Sequence, residues 1–461
     1  MKKAMSTVGV DAKPGSGSGS GLGWRHVQLF AMFLAACTAI TMRVCLSVAI
    51  VVMTGPDQGD GYPRFSWTPA EKSGVLGSFL WGYMVSQVAG GFLSSRGWSI
   101  LVLVVTISSS GLVTASLPFV AAAGGAGAVT ALRVLTGLLQ GVLYPTMFTL
   151  LGRWAPPEER SRAGSVVLAS QPIGNVLAMA LSGWISYAWG WPTVFYIFGV
   201  SGVTAALVLY VLGADSPDAH TRISQEERDY LSQTVEHVEK AKLPVPWRAM
   251  LTSPALWSLL AAQLGYLWGY WVIITCTPSY INNLMQVGIE WNGLLSAAPQ
   301  LSMAFCSVLF GWLSDLVTTR RLLSPTHNRK LFNAIGEWGP GVLCILVGAL
   351  GPTNPPLAVG LLVVACGLIA ATFSGSLINF VDIAPNFGGI VFGIANTVGS
   401  FVSAFAPYAE GVFVDREDPM PGWSNVFYSS AAAYLVLNSV WMVCGTAKVQ
   451  PWNNPISVSK P

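Results

Sequence analysis

Two arginines lie in stretches of the sequence that are otherwise apolar. Arg43 is part of "AITMRVCLSVAIVVMTG" (39–55) and Arg133 is part of "LRVLTGLLQGVLYP" (132–145). Arg43 is about ten residues (~15 Å) from the nearer end of its apolar run, and Arg133 is about seven residues (~10 Å) from its own. An arginine at such a depth in a bilayer costs roughly 2.5–3.5 kcal/mol, and intramembrane charges are usually functional.

The acidic residues offer these arginines no partner at the same depth. Of the 21 acidic residues, Asp315 and Asp382 fall at cytoplasmic helix ends and Glu410 near an outer end. Glu337 is placed only a turn and a half inside its span. Two buried guanidinium groups without carboxylates predict an anion taken from solution, and the planar fork of arginine suits carboxylate or phosphate. The alternative is that each arginine binds helix carbonyls or latches a gate.

Further polar residues could complete a binding cavity or control it. We expect a substrate site of Arg43, Arg133, Gln140, Tyr83, Tyr144, Tyr266, Tyr270 and Asn396, with Gln171, Asn175 and Ser400 as further candidates. Gln140 and Tyr144 follow Arg133 by seven and eleven residues and so share its helical face. Glu337, Arg96 and Asp315 are candidate coupling or gating residues, although Glu337 could instead pair with Arg329 or Lys330. Ordinary hydrogen bonding between helices is the alternative for each amide and hydroxyl.

The composition is that of a helical membrane protein, so these residues lie in membrane-spanning segments. Of the 461 residues 52% are hydrophobic and 10% are charged, whereas a soluble domain has about 25% charge. Apolar runs long enough to cross a bilayer predict an all-α protein with twelve transmembrane helices in two six-helix bundles. The predicted spans are 27–53, 73–95, 99–122, 126–152, 163–188 and 192–212, then 255–284, 292–314, 331–351, 356–380, 388–412 and 425–446.

The only long hydrophilic insert divides the chain. We predict a flexible tail (1–25), an N-terminal bundle (26–212), a central loop (213–253), a C-terminal bundle (254–446) and a second tail (447–461). A capping box of Ser224 and Glu227 predicts a short amphipathic helix in the loop. Of 24 Lys and Arg residues, nineteen fall on the side of the termini and three on the other, and Arg43 and Arg133 complete the total. The positive-inside rule therefore places both termini in the cytoplasm.

The two halves share a short pattern at the end of their second helix. The pattern Gly91-x-Leu93-x-x-Arg96 in "GGFLSSRGW" and the pattern Gly311-x-Leu313-x-Asp315 in "FGWLSDLVTTRR" lie at matching places in the two halves. Repeated halves with a substrate site between them are typical of secondary transporters.

Enzyme chemistry is not indicated. The four histidines lie in cytoplasmic segments, the seven cysteines lie in apolar runs without a CxxC pair, and no nucleotide loop or nucleophile–base set occurs. We expect no enzyme activity, no metal, no cofactor beyond a co-transported sodium ion or proton, and no nucleic-acid partner. The expected partners are a small anion and the lipid bilayer, and we expect a monomer.

From Arg43 to Trp452 the sequence resembles the organic-anion/phosphate symporters of the major facilitator superfamily, which include sialin, vesicular glutamate transporters and type I sodium–phosphate cotransporters. The matching stretches are "RVCLSVAIV", "GSFLWGYMVSQVAGG", "LRVLTGLLQGVLYP", "RWAPPEERSR", "NGLLSAAPQL", "DIAPNFGGIVFGIANTVG" and "QPWNNP". The resemblance implies that Arg43 and Arg133 bind the anion and that Tyr83 and Tyr144 line the site.

Several positions depart from the family pattern. Gln140 stands where sialin-like and glutamate-carrying members have a glutamate linked to proton coupling, and Phe148 replaces a histidine of sialin-like members. In glutamate carriers the positions of Leu76 and Tyr266 are histidine and arginine, respectively. Cys45 replaces the usual asparagine after the span 1 arginine, and Ser95 replaces an aspartate. Neutral glutamine cannot titrate, and phosphate-type members resemble this chain at position 140. This favours sodium coupling and predicts little response to a proton gradient.

The sequence thus predicts a secondary active transporter of inorganic phosphate or organic carboxylates. It would work by alternating access in the plasma membrane or an endolysosomal or vesicular membrane. One alternative is a vesicular or lysosomal carrier driven by protons or potential. An alternative of another class is an anion receptor or scaffold that does not transport.

Overall fold

We describe a computed structural model of the chain, covering residues 23–56, 61–235, 243–285, 289–351, 353–406, 413–414 and 419–454. The described residues form helices connected by short turns and contain no strand. The predicted position of Glu410 lies outside the described residues. The all-α prediction is confirmed.

Twelve helical spans can be traced, which we number in chain order. Spans 1 and 2 are Trp24–Met53 and Pro69–Ser95. Spans 3 and 4 are the two parts of Ser99–Gly141, and the second part continues through Leu143–Trp154. Span 5 is Arg160–Leu168 with Ser170–Trp189, and span 6 is Trp191–Leu212. Spans 7 to 12 are Pro254–Met285, Ile289–Thr319, Pro325–Asn333 continuing to Leu350, Pro355–Ile369 continuing to Ile383, Gly388–Ser403, and Pro419–Cys444. Shorter helices are Pro217–Ala219, Gln225–Thr234, Trp247–Leu251 and Pro451–Asn453.

Nine described segments are long and apolar enough to cross a membrane, and one of them, Ser99–Trp154, is 56 residues long. That segment contains two spans, because Gly125 has a φ of +58° and breaks the helix. Glycine adopts this conformation without steric cost. Spans 2 and 11 bring the number to twelve, in agreement with the predicted count.

Local sequence explains where several spans begin. Proline follows a capping residue at the start of spans 2, 9 and 10, where Thr68, Ser324 and Asn354 accept the first free backbone N–H groups. This is the favoured position for proline, since its missing N–H would have no intrahelical partner there. Span 9 also contains a five-residue π-helix, Ala334–Trp338.

The spans pack in two groups that meet along one interface. Spans 1 to 6 pack on one another, as do spans 7 to 12, and contacts between the groups are made chiefly by spans 2, 4 and 5 with spans 8 and 11. The shared glycines lie at this interface. A Cβ on Gly91 would lie 2.5 Å from the backbone of Gly389 in span 11, and one on Gly311 would lie 2.8 Å from Ser165 in span 5.

The central loop is fastened to the start of span 1. The predicted amphipathic helix is present as Gln225–Thr234, and Ser224 caps it by accepting from the Glu227 N–H at 3.2 Å. The Glu227 side chain does not complete the predicted capping box. Its carboxylate accepts from the backbone N–H groups of Trp24 at 2.9 Å and Arg25 at 3.1 Å. A carboxylate is favoured there because a helix N-terminus carries partial positive charge.

We predict that Glu227→Gln will loosen this attachment while the spans stay inserted. The amide loses the charge that strengthens both hydrogen bonds, each of which contributes about 1.5–3 kcal/mol. Limited proteolysis should cut near the loop helix several-fold faster than in the wild type. Glu226→Gln is the matched control, because Glu226 is exposed in the same turn. Equal cleavage rates for the two variants would contradict the attachment.

His220 gives the same attachment a pH dependence. Its ring packs on Trp24 at a centroid distance of 4.5 Å, and burial lowers the pKa of His220 below 6.5. The His220 side chain therefore binds a proton more readily when the loop is detached from span 1 than when it is attached. The attachment has its full strength above pH 6.5 and weakens as the pH falls below that value. The accelerated cleavage of the wild type at low pH should disappear in His220→Phe, which keeps the ring.

Candidate functional site

Arg43 and Arg133 share one aromatic ring between spans 1, 2 and 4. The guanidinium carbon of Arg43 is 4.5 Å from the ring centre of Phe79, and that of Arg133 is 5.1 Å from the same centre. Arg43 also lies 4.8 Å from the Tyr83 ring. Each cation–π contact stabilises a cation by about 0.5–2 kcal/mol, without neutralising it.

The polar contacts of the two arginines leave donors free. Arg133 donates from Nη1 to the backbone oxygen of Arg43 at 3.1 Å, and Arg43 donates from Nε to Gln140 Oε1 at 3.5 Å. Arg43 Nη2, Arg133 Nε and Gln140 Nε2 are buried without a partner. The carbonyl contact fits the alternative in which an arginine binds helix backbone, but it uses one of five guanidinium N–H groups. The unused N–H donors are groups to which the oxygens of an anion could bind.

Glycines bring the arginine-bearing helices together. A Cβ on Gly137 of span 4 would lie 2.1 Å from the Phe79 backbone oxygen, and one on Gly82 of span 2 would lie 2.0 Å from that of Val134. Any side chain at these positions would force spans 2 and 4 apart. Close packing of this kind is typical of small residues in membrane helices.

Asn396 of span 11 links the two bundles below the arginines. Its Nδ2 donates to Gln87 Oε1 at 2.6 Å and to the Tyr83 hydroxyl at 3.4 Å, and its Oδ1 accepts from Gln263 Nε2 at 3.0 Å. Gln87 and Gln263 were not among the predicted site residues. Each lies about eight or nine residues, ~12 Å, from the end of its span on the side of the chain termini. The positive-inside rule predicts that this side is cytoplasmic, and we call it the cytoplasmic side. The amide cluster forms the floor of the site toward this side.

The tyrosines form the opposite wall. The rings of Tyr266 and Tyr270 on span 7 stack with centroids 5.8 Å apart, and Gln300 donates to the Tyr270 hydroxyl at 3.4 Å. Gln171 and Asn175 of span 5 lie within hydrogen-bonding reach of the same hydroxyl. Tyr144 is buried, with a hydroxyl that has no partner. The structure therefore brings all eight predicted substrate-site residues into one region between the bundles.

The predicted depth of Glu337 is wrong. Span 9 begins at Pro325 rather than near 331, so Glu337 lies about twelve residues, ~18 Å, inside it and close to its middle. Neither suggested ion pair forms, since Arg329 binds Asp382 and Glu337 Oε1 accepts from Asn333 Nδ2 at 2.8 Å. A carboxyl group therefore lies near the middle of span 9, packed inside the C-terminal bundle.

A charged cluster closes the cytoplasmic side. Asp382 of span 10 accepts from Arg160 Nη1 of span 5 at 2.9 Å and from Arg329 Nε of span 9 at 2.6 Å. Asp315 accepts from the backbone N–H groups of Ser161 at 3.1 Å and Arg162 at 2.8 Å. The Arg160–Asp382 pair and the Asp315 contacts join opposite bundles. Asp315 therefore contacts the other bundle, and its gating role stays a prediction. Arg96 is exposed, with its guanidinium carbon 4.2 Å from the ring centre of its neighbour Phe92.

An aromatic cluster lies between this gate and the amide floor. Phe148 of span 4 stacks on Phe392 of span 11 at 4.1 Å and meets Phe380 of span 10 at 6.3 Å. Arg160 and Asp382 lie in stretches that carried the family resemblance, whereas Phe148 is one of the positions that depart from the family pattern. The sequence could have indicated this contact between the bundles, because the opposite charges of Arg160 and Asp382 lie at the ends of spans in different halves, on the side predicted to be cytoplasmic.

Comparisons with known proteins agree with this architecture. Residues 32–407 match the model of the Major Facilitator Superfamily. Sialin from Ovis aries is 32% identical over 450 residues, covering 93% of this chain and 90% of sialin. A Drosophila melanogaster protein named "Putative inorganic phosphate cotransporter" is 30% identical over 460 residues, covering 94% and 86%.

The chain is therefore an integral membrane transporter of the major facilitator superfamily. Within it, the chain belongs to the organic-anion/phosphate family that includes sialin. The fold also matches the solved "proton:xylose symporter XylE bound to 6-bromo-6-deoxy-D-glucose", with a TM-score of 0.70 over 94% of this chain and 99% of that one, at 15% identity. The family recognised from the sequence is confirmed, and enzymatic function is excluded by the transporters of the family and fold.

We predict that Asp382→Asn will open the cytoplasmic side. The variant leaves two buried guanidinium groups without their charge partner, and breaking a buried pair costs about 3–5 kcal/mol. Spin labels would be attached at positions 158 and 319 after Cys306→Ser and Cys444→Ser remove the two cysteines that are not buried. The distance between the labels, measured by electron paramagnetic resonance, should become longer. Arg160→Met should have the same effect, since it removes the contact between bundles and leaves the Arg329–Asp382 pair.

Asp229→Asn is the matched control for this measurement, because Asp229 is exposed on the loop helix. Its distance distribution should equal that of the unsubstituted protein. If Asp382→Asn and Arg160→Met both kept that distribution, the charged cluster would not be a gate.

Proposed function

We propose that the protein transports small anions by alternating access and that Arg43 and Arg133 hold the anion between the bundles. One observation carries the proposal: two guanidinium groups on one ring, with buried N–H donors left without partners. The ion pairs among the described residues include neither arginine. An anion with two or more oxygens could accept from both forks at once.

The substrate class is inorganic phosphate or an organic carboxylate. Guanidinium forks bind both groups, and relatives named for phosphate cotransport and as sialin support both. Tyr83 and Tyr144 supply hydroxyls beside the arginines, and Gln140 supplies an amide donor. Tyr266, Tyr270 and Asn396 would contact the distal part of the anion from the C-terminal bundle.

The described conformation is closed toward the cytoplasm, so the anion would enter from the outer side. Its negative charge would compensate the two arginines and favour closure of the C-terminal bundle over the site. Release to the cytoplasm then requires three contacts to part: the Asn396 amide cluster, the Phe148 cluster and the Arg160–Asp382 pair. All three join spans of opposite bundles, so they would open together in a rocking movement.

The coupling ion has two candidates. The sequence favours sodium coupling, because neutral Gln140 stands where sialin-like members have a glutamate linked to proton coupling. The buried carboxyl group of Glu337 offers a titratable side chain elsewhere and favours the alternative, a proton-driven carrier of a vesicular or lysosomal membrane. The third possibility, an anion receptor that does not transport, predicts saturable binding without flux. Plasma, vesicular and lysosomal membranes remain the proposed locations.

Arg43→Ala and Arg133→Ala should each abolish saturable uptake of radiolabelled phosphate or sialate into proteoliposomes. Each loses a charge-assisted contact of about 1.5–3 kcal/mol, which is at least tenfold in affinity. Lysine should rescue poorly, because its point charge lacks the fork. Purified variants should elute as the wild type does on size exclusion.

The matched control is Arg248→Ala, since Arg248 is exposed in the short helix before span 7. It should transport normally. Uptake near the wild-type level in both Arg43→Ala and Arg133→Ala would reject the proposed site. Saturable binding with no flux in the wild type would favour the receptor.

A further inference from the structure

Glu337 lies in the core of the C-terminal bundle, away from the two arginines. It belongs to the π-helix Ala334–Trp338 and is fully buried. π-Helices are rare and are frequently found at functional sites. The substrate site does not use this carboxyl group.

One oxygen of Glu337 is bound and the other is not. Oε1 accepts from Asn333 Nδ2 at 2.8 Å, and the same Nδ2 donates to Asn438 Oδ1 of span 12, also at 2.8 Å. Oε2 is buried without a hydrogen-bond partner. The ion pairs of the described residues offer it no cation, because Arg329 binds Asp382. An unpaired carboxylate in an apolar interior is costly, so this environment favours a neutral carboxyl group.

Span 7 separates the free oxygen from the substrate site. A Cβ on Gly265 would lie 3.0 Å from Glu337 Oε2, and one on Gly269 would lie 2.2 Å from the ring of Tyr434, whose hydroxyl also has no partner. Tyr266 and Tyr270 of the same helix line the substrate site. A change at Glu337 therefore acts on a helix that contacts the anion.

Span 9 links Glu337 to the gate as well. Arg329, Asn333 and Glu337 are spaced four residues apart, so they follow one another along roughly one helix face. Arg329 holds Asp382, and Asn333 Oδ1 accepts from the Ser376 N–H at 3.1 Å, at the start of the helix that contains Asp382. Two turns of helix thus connect the carboxyl group to both partners of the cytoplasmic ion pair.

We propose that Glu337 is the coupling-proton site of this transporter, an inference that rests on the proposed anion transport. In the cytoplasm-closed conformation Glu337 holds a proton on Oε2. When the gate parts and water reaches the carboxyl group, the proton leaves to the cytoplasm and the anion is released. The O–H bond forms with a proton taken up from the outer side and breaks when that proton passes to water on the cytoplasmic side. No other covalent bond changes, and a single carboxyl group carries one proton with each anion.

The surroundings suit a proton better than a sodium ion. Sodium needs several oxygen ligands around it, whereas Oε1 is occupied by an amide donor and Oε2 faces Gly265 at close range. The titratable groups around this region are Tyr266 on span 7, Cys344 on span 9, Cys366 on span 10 and Tyr434 on span 12. Tyrosine and cysteine are neutral at neutral pH, so these groups do not compete for the proton.

The test uses two assays in sodium-free proteoliposomes with radiolabelled phosphate. Exchange of internal for external phosphate needs no net proton movement and tests anion transport itself. Accumulation driven by an acidic exterior tests the proton site and should reach about tenfold for one pH unit if one proton accompanies one monovalent anion. Glu337→Gln, which mimics the neutral carboxyl, should keep exchange and lose accumulation, whereas Glu226→Gln, an exposed carboxyl, should keep both.

A wild-type measurement makes the test independent of whether the variant folds. A pH dye outside the vesicles should report alkalinisation when phosphate is added, with sodium absent. If the wild type exchanges neither phosphate nor sialate, the proposed function fails with it. If exchange proceeds but the wild type shows no alkalinisation, or accumulates phosphate only on a sodium gradient, Glu337 is not the coupling site. Proton-driven accumulation that persists in Glu337→Gln would also overturn the proposal.

Discussion

The structure depends on how the positive charge of its buried and partly buried arginines is compensated. Arg43 and Arg133 are placed between helices that approach closely at Gly82 and Gly137, with one ring, that of Phe79, between the charges. Aromatic faces and one backbone carbonyl lower the cost of burial but do not remove the charge. The site is therefore stable enough to form, and a bound anion would complete the compensation. In the proposed function, affinity for anions follows from this incomplete compensation.

The cytoplasmic end shows the opposite treatment of the same side chain. Arg160 and Arg329 share the carboxylate of Asp382, each binding a different oxygen. Because the Arg160–Asp382 contact joins the two bundles, a movement that separates the bundles would break it. The two halves are not equivalent here: Asp315 caps the start of span 5, whereas Ser95, in the corresponding stretch of the first half, turns its hydroxyl back to Phe92 at 2.8 Å. One half thus supplies most of the charge that holds the gate.

Sequence reasoning could predict the elements whose physical cause is local. Apolar length predicted the spans, including the division between 99–122 and 126–152 at which Gly125 lies, and the absence of acidic neighbours identified Arg43 and Arg133. The depth of Glu337 could not be predicted, because the first turns of span 9, "PTHNRK", are polar and resemble a loop. Ser324 and Pro325 are nevertheless a strong helix start. The contact of Glu227 with Trp24 and the Gln87–Asn396–Gln263 cluster depend on tertiary packing, which no local pattern encodes.

Span 7 explains how two sites of different charge can act on each other without touching. One side presents Gln263, Tyr266 and Tyr270 to the anion site, and the glycines at 265 and 269 leave room for Glu337 and Tyr434 on the other. Because glycines face Glu337 and Tyr434, these side chains contact the backbone of span 7 directly. A displacement of either side chain would therefore move span 7, since packed interiors have low compressibility. Ionisation of Glu337 would require water or a new donor at Oε2, and the space for either must come from a shift of span 7. The same shift moves the tyrosines that face the arginines, so proton release and anion release become one structural event.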